Sequence, residues 1–311
     1  MKKLLSVLLL IALFIPVLSS CGFARRSLKI GVSVNYEWGL DVITAAVITD
    51  GDGSVYSCDI VGASYDIDLP EPMPEPDGDW DTPIIDIGFD SAEDTLFEYV
   101  PTVTEYDSTT SKEVLDFEAL VVGKTLSELQ EMGKDDSLDN LNNFMLDAVI
   151  RALSTEHIVN FRSGDDISVG VAYMPEVTVT EREDGRPSVK VSANVGAAAV
   201  DSGDTVKCAS LDSFEVEFWG YDALDGEKLS DLVSYKGTKL EQRDSYGMVA
   251  WAGAIAEWYV QAQTYANTAI GKRIDELVTL PEYEVAGCTM YVAGYKPALL
   301  EAAFTASDNR E

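Results

Sequence analysis

"ITAAVITDGDGSVYSCDIVGASYDIDL" (Ile43–Leu69) decides the fold, because "VGAAAVDSGDTVKCASLDSFEVEF" (Val195–Phe218) repeats its plan. Each is an apolar strand, an Asp/Gly turn and a returning strand, with Cys58 and Cys208 just past the turns. Gly and Asp tolerate positive φ, so a β-hairpin is expected at both places, with the two cysteines in matching positions. Working outward, "LKIGVSVNYE" (Leu28–Glu37) and "DISVGVAYMPE" (Asp166–Glu176) read as a strand ahead of each hairpin. Behind the hairpins stand "VVGKTLSEL" (Val121–Leu129) and "AIGKRIDEL" (Ala269–Leu277), then the helical stretches "LNNFMLDAVIRAL" (Leu141–Leu153) and "YKPALLEAAFTA" (Tyr295–Ala306). Four features recur in one order, at offsets of roughly 138 to 154 residues, which predicts duplication. The expected class is α+β: two tandem related domains, each a small antiparallel sheet with helices packed against it. The expected ranges are 28–155 and 166–307.

The second copy contains "YGMVAWAGAIAEWYVQAQTYANTAIGKRIDEL" (Tyr246–Leu277). Trp251, Ile255, Trp258, Ala262, Tyr265 and Ala269 recur at spacings of three and four, predicting one amphipathic helix with an apolar core-facing stripe. Gly271 marks its stop, and Lys272 follows near its negative pole before a second short helix. In the first copy "SKEVLDFEALVVGK" (Ser111–Lys124) takes this place, behind a Pro-rich acidic loop, "LPEPMPEPDGDWDTPIIDIGFD" (Leu69–Asp90), that should be exposed.

The chain opens with Lys2-Lys3, the apolar run Leu4–Leu18 and "LSSC" at Leu18–Cys21. The run has the length of a secretory signal and is too short to span a bilayer, for which ~20 residues are needed. Leu, two small residues and Cys resemble a lipobox, so residues 1–20 are expected to be removed. Residues 21–27 then form a tether holding the protein by acyl chains on Cys21 to the outer face of the cell membrane. The roughly 290 residues that remain suit two domains. With 22 basic against 54 acidic residues, a net charge of −32, the surface repels phosphate backbones and excludes nucleic acid as a partner. One histidine, His157, leaves little material for a histidine-based triad or metal site. "DGDGS" (Asp50–Ser54) resembles half a calcium loop, but Val61 stands where the closing carboxylate belongs. No metal is expected. In so acidic a chain no carboxylate pair stands out as a general acid and base.

The stretches "DGDGSVYSCDI" and "KGTKLEQRDSYGMVAWAGAIAEWYVQAQTYANTAIGKRIDEL" together resemble exported lipoproteins of Gram-positive anaerobes with tandem FMN-binding-like domains. The resemblance covers most of the second copy and, more faintly, the first. It implies an α+β fold and, in flavin-bearing members, FMN esterified to a threonine in Asp-x-x-Ser-Gly-Ala-Thr. Here "YEVAGCTMYVAGYKPAL" (Tyr283–Leu299) stands in the matching place. Gly287 and Thr289 keep their spacing. Tyr283 replaces the acid, with Glu284 one place off, and Ala286 and Cys288 replace Ser and Ala. Gly287, Cys288, Thr289, Tyr246, Met248 and Trp258 are the candidate flavin- or ligand-binding residues, with no bound cofactor the primary expectation. The expected role is a non-enzymatic binding or interaction module at the cell surface, for a small ligand or a protein partner. The alternatives are an extracellular electron-transfer flavoprotein with FMN on Thr289, and a solute-binding lipoprotein of a transporter. The long alternation of parallel strands and helices usual for such solute-binding proteins is not evident.

Overall fold

The computed structural model describes residues 24–36, 40–66, 102–107, 111–134, 138–164, 166–181, 187–218, 233–282 and 285–310. Cys21, the acidic loop 69–90, Tyr283 and Glu284 lie outside the described residues. The fold is α+β with two antiparallel sheets flanked by helices. The first sheet has the order β4-β3-β2-β1-β5, from β1 (Ala24–Asn35), β2 (Leu40–Thr49), β3 (Val55–Asp66), β4 (Thr102–Asp107) and β5 (Val159–Ser163). The second runs β6-β7-β8-β9, from β6 (Ile167–Glu181), β7 (Pro187–Asp201), β8 (Val206–Phe218) and β9 (Val233–Tyr235). Residues 24–27 thus belong to a strand rather than to a tether, and β5 joins the first sheet from beyond residue 155.

The sheets lie face to face, β3 against β6 and β1 with β5 against β8. Between them is one core to which both contribute, including Leu28, Ile30 and Tyr65 from the first and Val169, Phe214 and Phe218 from the second. Helices cover the two outer faces. On the first sheet these are α1 (Lys112–Val121), α2 (Leu126–Met132) and α3 (Asn140–Ser154). On the second they are α4 (Lys239–Gln242), α5 (Met248–Ala252), α6 (Trp258–Ala266) and α7 (Tyr295–Asp308). β2 and the Val195–Val200 stretch of β7 are therefore covered on both sides, which is why they read as nearly unbroken apolar runs, whereas Ser188–Asn194 of β7 alternates. Among the described residues no helix is long and apolar enough to cross a membrane.

The repeated sequence features perform the same local tasks. Gly123 and Gly271 adopt φ +81° and +82°, the left-handed region closed to most side chains. That turn lets each Gly-Lys pair clamp the start of its returning strand. Gly123 N–H donates to Val55 O at 2.8 Å and Val55 N–H to Lys124 O at 2.9 Å; Gly271, Val206 and Lys272 reproduce both bonds at 2.8 and 2.9 Å. Glu128 and Glu276 then each accept a backbone N–H three residues back, from Thr125 and Arg273, both at 2.8 Å. Leu129 and Leu277 are fully buried. Helix α3 crosses a glycine of β1, and α7 crosses a glycine of β6. A Cβ on Gly31 would fall 2.2 Å from Ala148 O, and one on Gly170 would fall 2.2 Å from Ala302 O.

Two expectations need correction. The first is the continuous helix through Tyr246–Leu277. Gly247 and Gly253 bracket the short α5 at φ +72° and +63°, and the Glu257 carboxylate caps its first turn through Met248 and Val249 N–H. Helix restarts only at Trp258, so Trp251 and Ile255 are left 66% and 63% exposed while Trp258, Ala262, Tyr265 and Ala269 are buried. The second is the matching of the cysteines. The register pairs Ile48 with Ser57 beside one hairpin and Ala199 with Cys208 beside the other, after equivalent bulges at Ile48/Thr49 and Ala199/Val200. Cys58 is thus one residue out of step with Cys208, and one residue in a strand reverses the face. Cys58 packs under the helices and Cys208 between the sheets; these and Cys288 are free thiols.

Candidate functional site

The candidate residues fall into two groups, one on Gln261 and one on Lys239. Gln261 is fully buried on α6, and its Oε1 accepts Thr289 N–H at 2.6 Å and the Thr289 hydroxyl at 3.0 Å. Its Nε2 donates to Ala256 O at 2.7 Å and lies 3.7 Å from Met248 Sδ. Trp258 Nε1 donates to Tyr295 Oη at 3.3 Å, and the Lys239 ammonium stands 5.3 Å from the ring centres of both Tyr246 and Trp258. Burial lowers the proton affinity of that ammonium. Gly287 has φ +83°, Cys288 is buried and Thr289 is exposed. Helix α7 starts only at Tyr295, and Thr289 N–H is already engaged by Gln261. A phosphate esterified here would rest on the exposed hydroxyl with neither of those donors free beside it.

A second pair of places emerges at the seam between the sheets. Where β3 meets β6, Asp59 is completely buried. Its Oδ2 accepts Val171 N–H at 2.6 Å, and its Oδ1 accepts the Asn309 amide at 3.1 Å; the same amide also donates to Val169 O at 3.1 Å. These bonds cap the edge of β6. Burial pushes the Asp59 carboxyl up to about 6. Glu118 of α1 accepts Ile60 N–H at 2.7 Å, and burial followed by repulsion from Asp59 pushes it to about 9, so it holds its proton at neutral pH. A cavity of ≈ 360 Å³ opens beside Asp59, walled by Glu105, Asp107, Tyr173, Phe304 and Asp308.

Where β1 meets β8, a related cavity of ≈ 390 Å³ is walled by the edge of β1 at Gly31, by Asp212 of β8, and by Arg151, Thr238, Glu241 and Arg243. Asp212 is buried, its Oδ1 accepting Ser213 and Leu240 N–H at 2.7 and 3.1 Å, and burial pushes its carboxyl to about 7. Arg151 bonds Asp147 at 2.7 Å and Glu241 at 3.3 Å, and Arg243 bonds Glu156 at 2.8 Å. One cavity lies between β1, α3 and β8, the other between β6, α7 and β3. Neither Asp59 nor Asp212 was singled out from the sequence. The available signal was an acid inside an otherwise apolar strand, in "CDIV" and "SLDSF".

Among the described residues no group of three or more His, Cys, Asp and Glu side chains is arranged to hold a metal ion. No protein-family model, no curated protein and no solved structure matches the chain.

Proposed function

We propose that this is an exported lipoprotein, held by Cys21 at the outer face of the cell membrane, that acts without catalysis as a binding or interaction module. The kinship of its two sheet-and-helix units is part of the proposal. Its support is the set of paired tasks: the Gly-Lys clamps, the Glu caps, the matching bulges and the helix over a strand glycine. The observation that carries the binding role is the pair of cavities at the two seams, each holding a buried carboxyl that titrates near neutrality. The anchoring is tested by growth with a clickable fatty acid. Wild type should take up label and Cys21→Ser should not; label retained on the variant refutes the lipoprotein reading.

A second reading, the FMN-bearing electron carrier, draws support from the exposed Thr289 hydroxyl beside Gly287 and the Tyr246–Trp258 group. Co-expression with a flavin transferase followed by intact-mass measurement separates the two. A gain of one FMN phosphoester that disappears in Thr289→Ala would replace the binding-module reading by the redox one. The solute-binding alternative shares the cavity evidence and differs in requiring a transporter partner.

A further inference from the structure

At the β3–β6 seam the strand edge is closed: Asp59 takes Val171 N–H, and Asn309 takes Val169 O. The β1–β8 seam is built on the same plan but lacks this closure. Beyond Leu28 no strand among the described residues pairs with β1 on the side of β5, and Ile30, Gly31 and Val32 line the cavity there. Counting from the matched bulges, Ser210 is the residue of β8 that corresponds to Asp59. Its hydroxyl is buried, with the residue 1% exposed, and has no hydrogen-bond partner among the described residues. Ser210 lies two positions from Asp212 on the same strand face, and Asp212 lines the cavity. The Tyr235 hydroxyl, also buried and unpartnered, sits within electrostatic reach of Arg151, Glu241 and Asp212. A buried hydroxyl without a partner is costly, and here two of them accompany an open strand edge.

Around this cavity Arg243 pairs with Glu156 at 2.8 Å, Arg151 stands between Asp147 at 2.7 Å and Glu241 at 3.3 Å, and Asp212 adds a buried carboxyl. A simple anion would have to displace a glutamate and leave it unpaired, in a chain already carrying −32. A simple cation taken by Glu156 would strand the Arg243 guanidinium. A ligand bearing both charges exchanges one ion pair for two. The open edge adds a demand for a peptide-like backbone, which pairs by strand addition. The volume of ≈ 390 Å³ is at the small end for a ligand site.

We infer that the β1–β8 cavity binds a short zwitterionic peptide of dipeptide size, its backbone along the edge of β1 and its terminal charges on Arg151 or Arg243 and on Glu241 or Glu156. This rests on the binding-module reading and supplies its ligand class, whereas acyl labelling at Cys21 tests anchoring by itself.

The test is calorimetric titration of the purified full chain at pH 7 with the Ala-X dipeptide series, each in free, N-acetylated and C-amidated form. At least one free dipeptide should bind with Kd below about 1 mM, and blocking either end should weaken it about tenfold or more. Arg243→Gln, a partly exposed change, should cost a similar factor for that dipeptide. Arg151→Gln, on the other guanidinium that lines the cavity, should also weaken that dipeptide. No heat from any free dipeptide with a cooperatively melting protein would overturn the inference. So would equal affinity of the blocked forms, or unchanged affinity in both variants.

Discussion

Asp59→Asn tests the electrostatics of the β3–β6 seam. The Asp59 carboxyl holds its proton with a pKa of about 6 against an ordinary 3.8, chiefly because it is buried. At about 1.4 kcal/mol per pH unit, that difference is about 3 kcal/mol of pH-dependent stability. The sign follows from the native state binding the proton more tightly than the unfolded chain. The contribution is fully present below pH 3.8 and is lost as the pH rises through about 6. An asparagine keeps an oxygen to accept Val171 N–H and cannot ionise; its amide nitrogen facing the Asn309 donor is a pH-independent cost that the comparison of two pH values cancels. Glu118, which Asp59 pushes further up, relaxes in the same direction. Urea unfolding of both proteins at pH 4 and pH 7.5 gives the comparison. Relative to wild type, the variant should gain about 2 kcal/mol between the two pH values, since at pH 4 the unfolded carboxyl is already partly ionised. Parallel stability curves, with the same difference at both pH values, would refute the assignment of this titration to Asp59.

Gly170→Ala should cost about 3 kcal/mol and lower Tm by several degrees, because the new methyl meets the backbone of Ala302 and Ala306 rather than a side chain that can yield. Trp258→Ala, which removes a buried ring, should cost roughly 3–5 kcal/mol, whereas Trp251→Ala, on a side chain 66% exposed, should stay within about 1 kcal/mol; comparable losses would restore the single long helix. A fragment of residues 166–311 should lack a cooperative melt and bind hydrophobic dye, since it leaves the inner face of its sheet uncovered; a sharp calorimetric transition would contradict the shared core.

The sequence carried the local plan well. Strands, hairpins and terminal helices were legible because turn residues and apolar periodicity act over a few residues, and Gly123 and Gly271 mark positions that need positive φ. The long helix was misread because Trp251 and Ile255 continue the spacing of the stripe, while the glycines that break it, Gly247 and Gly253, were not weighed as caps. The cysteines look matched because both stand just past a turn, but Cys58 is the third residue after Val55 and Cys208 the second after Val206, and one residue reverses the face. The stacking of the sheets was hidden for another reason: β2 and the Val195–Val200 stretch of β7 announce that both faces are covered, yet not by what. Asp59 and Asp212 escaped notice for want of that stacking, since an acid in a strand becomes informative only once the opposing layer has removed its water.

The common core also sets an order of events in folding. The inner face carrying Leu28, Ile30 and Tyr65 is complete early in the chain, but the strands that cover it extend to Phe218. Contacts such as β1 with β8 close over more than a hundred residues, so ring-closure entropy must be met before burial rewards it. Until then the first sheet is an exposed apolar surface, and folding should be slow, dependent on a finished chain and vulnerable to pairing with another copy of itself.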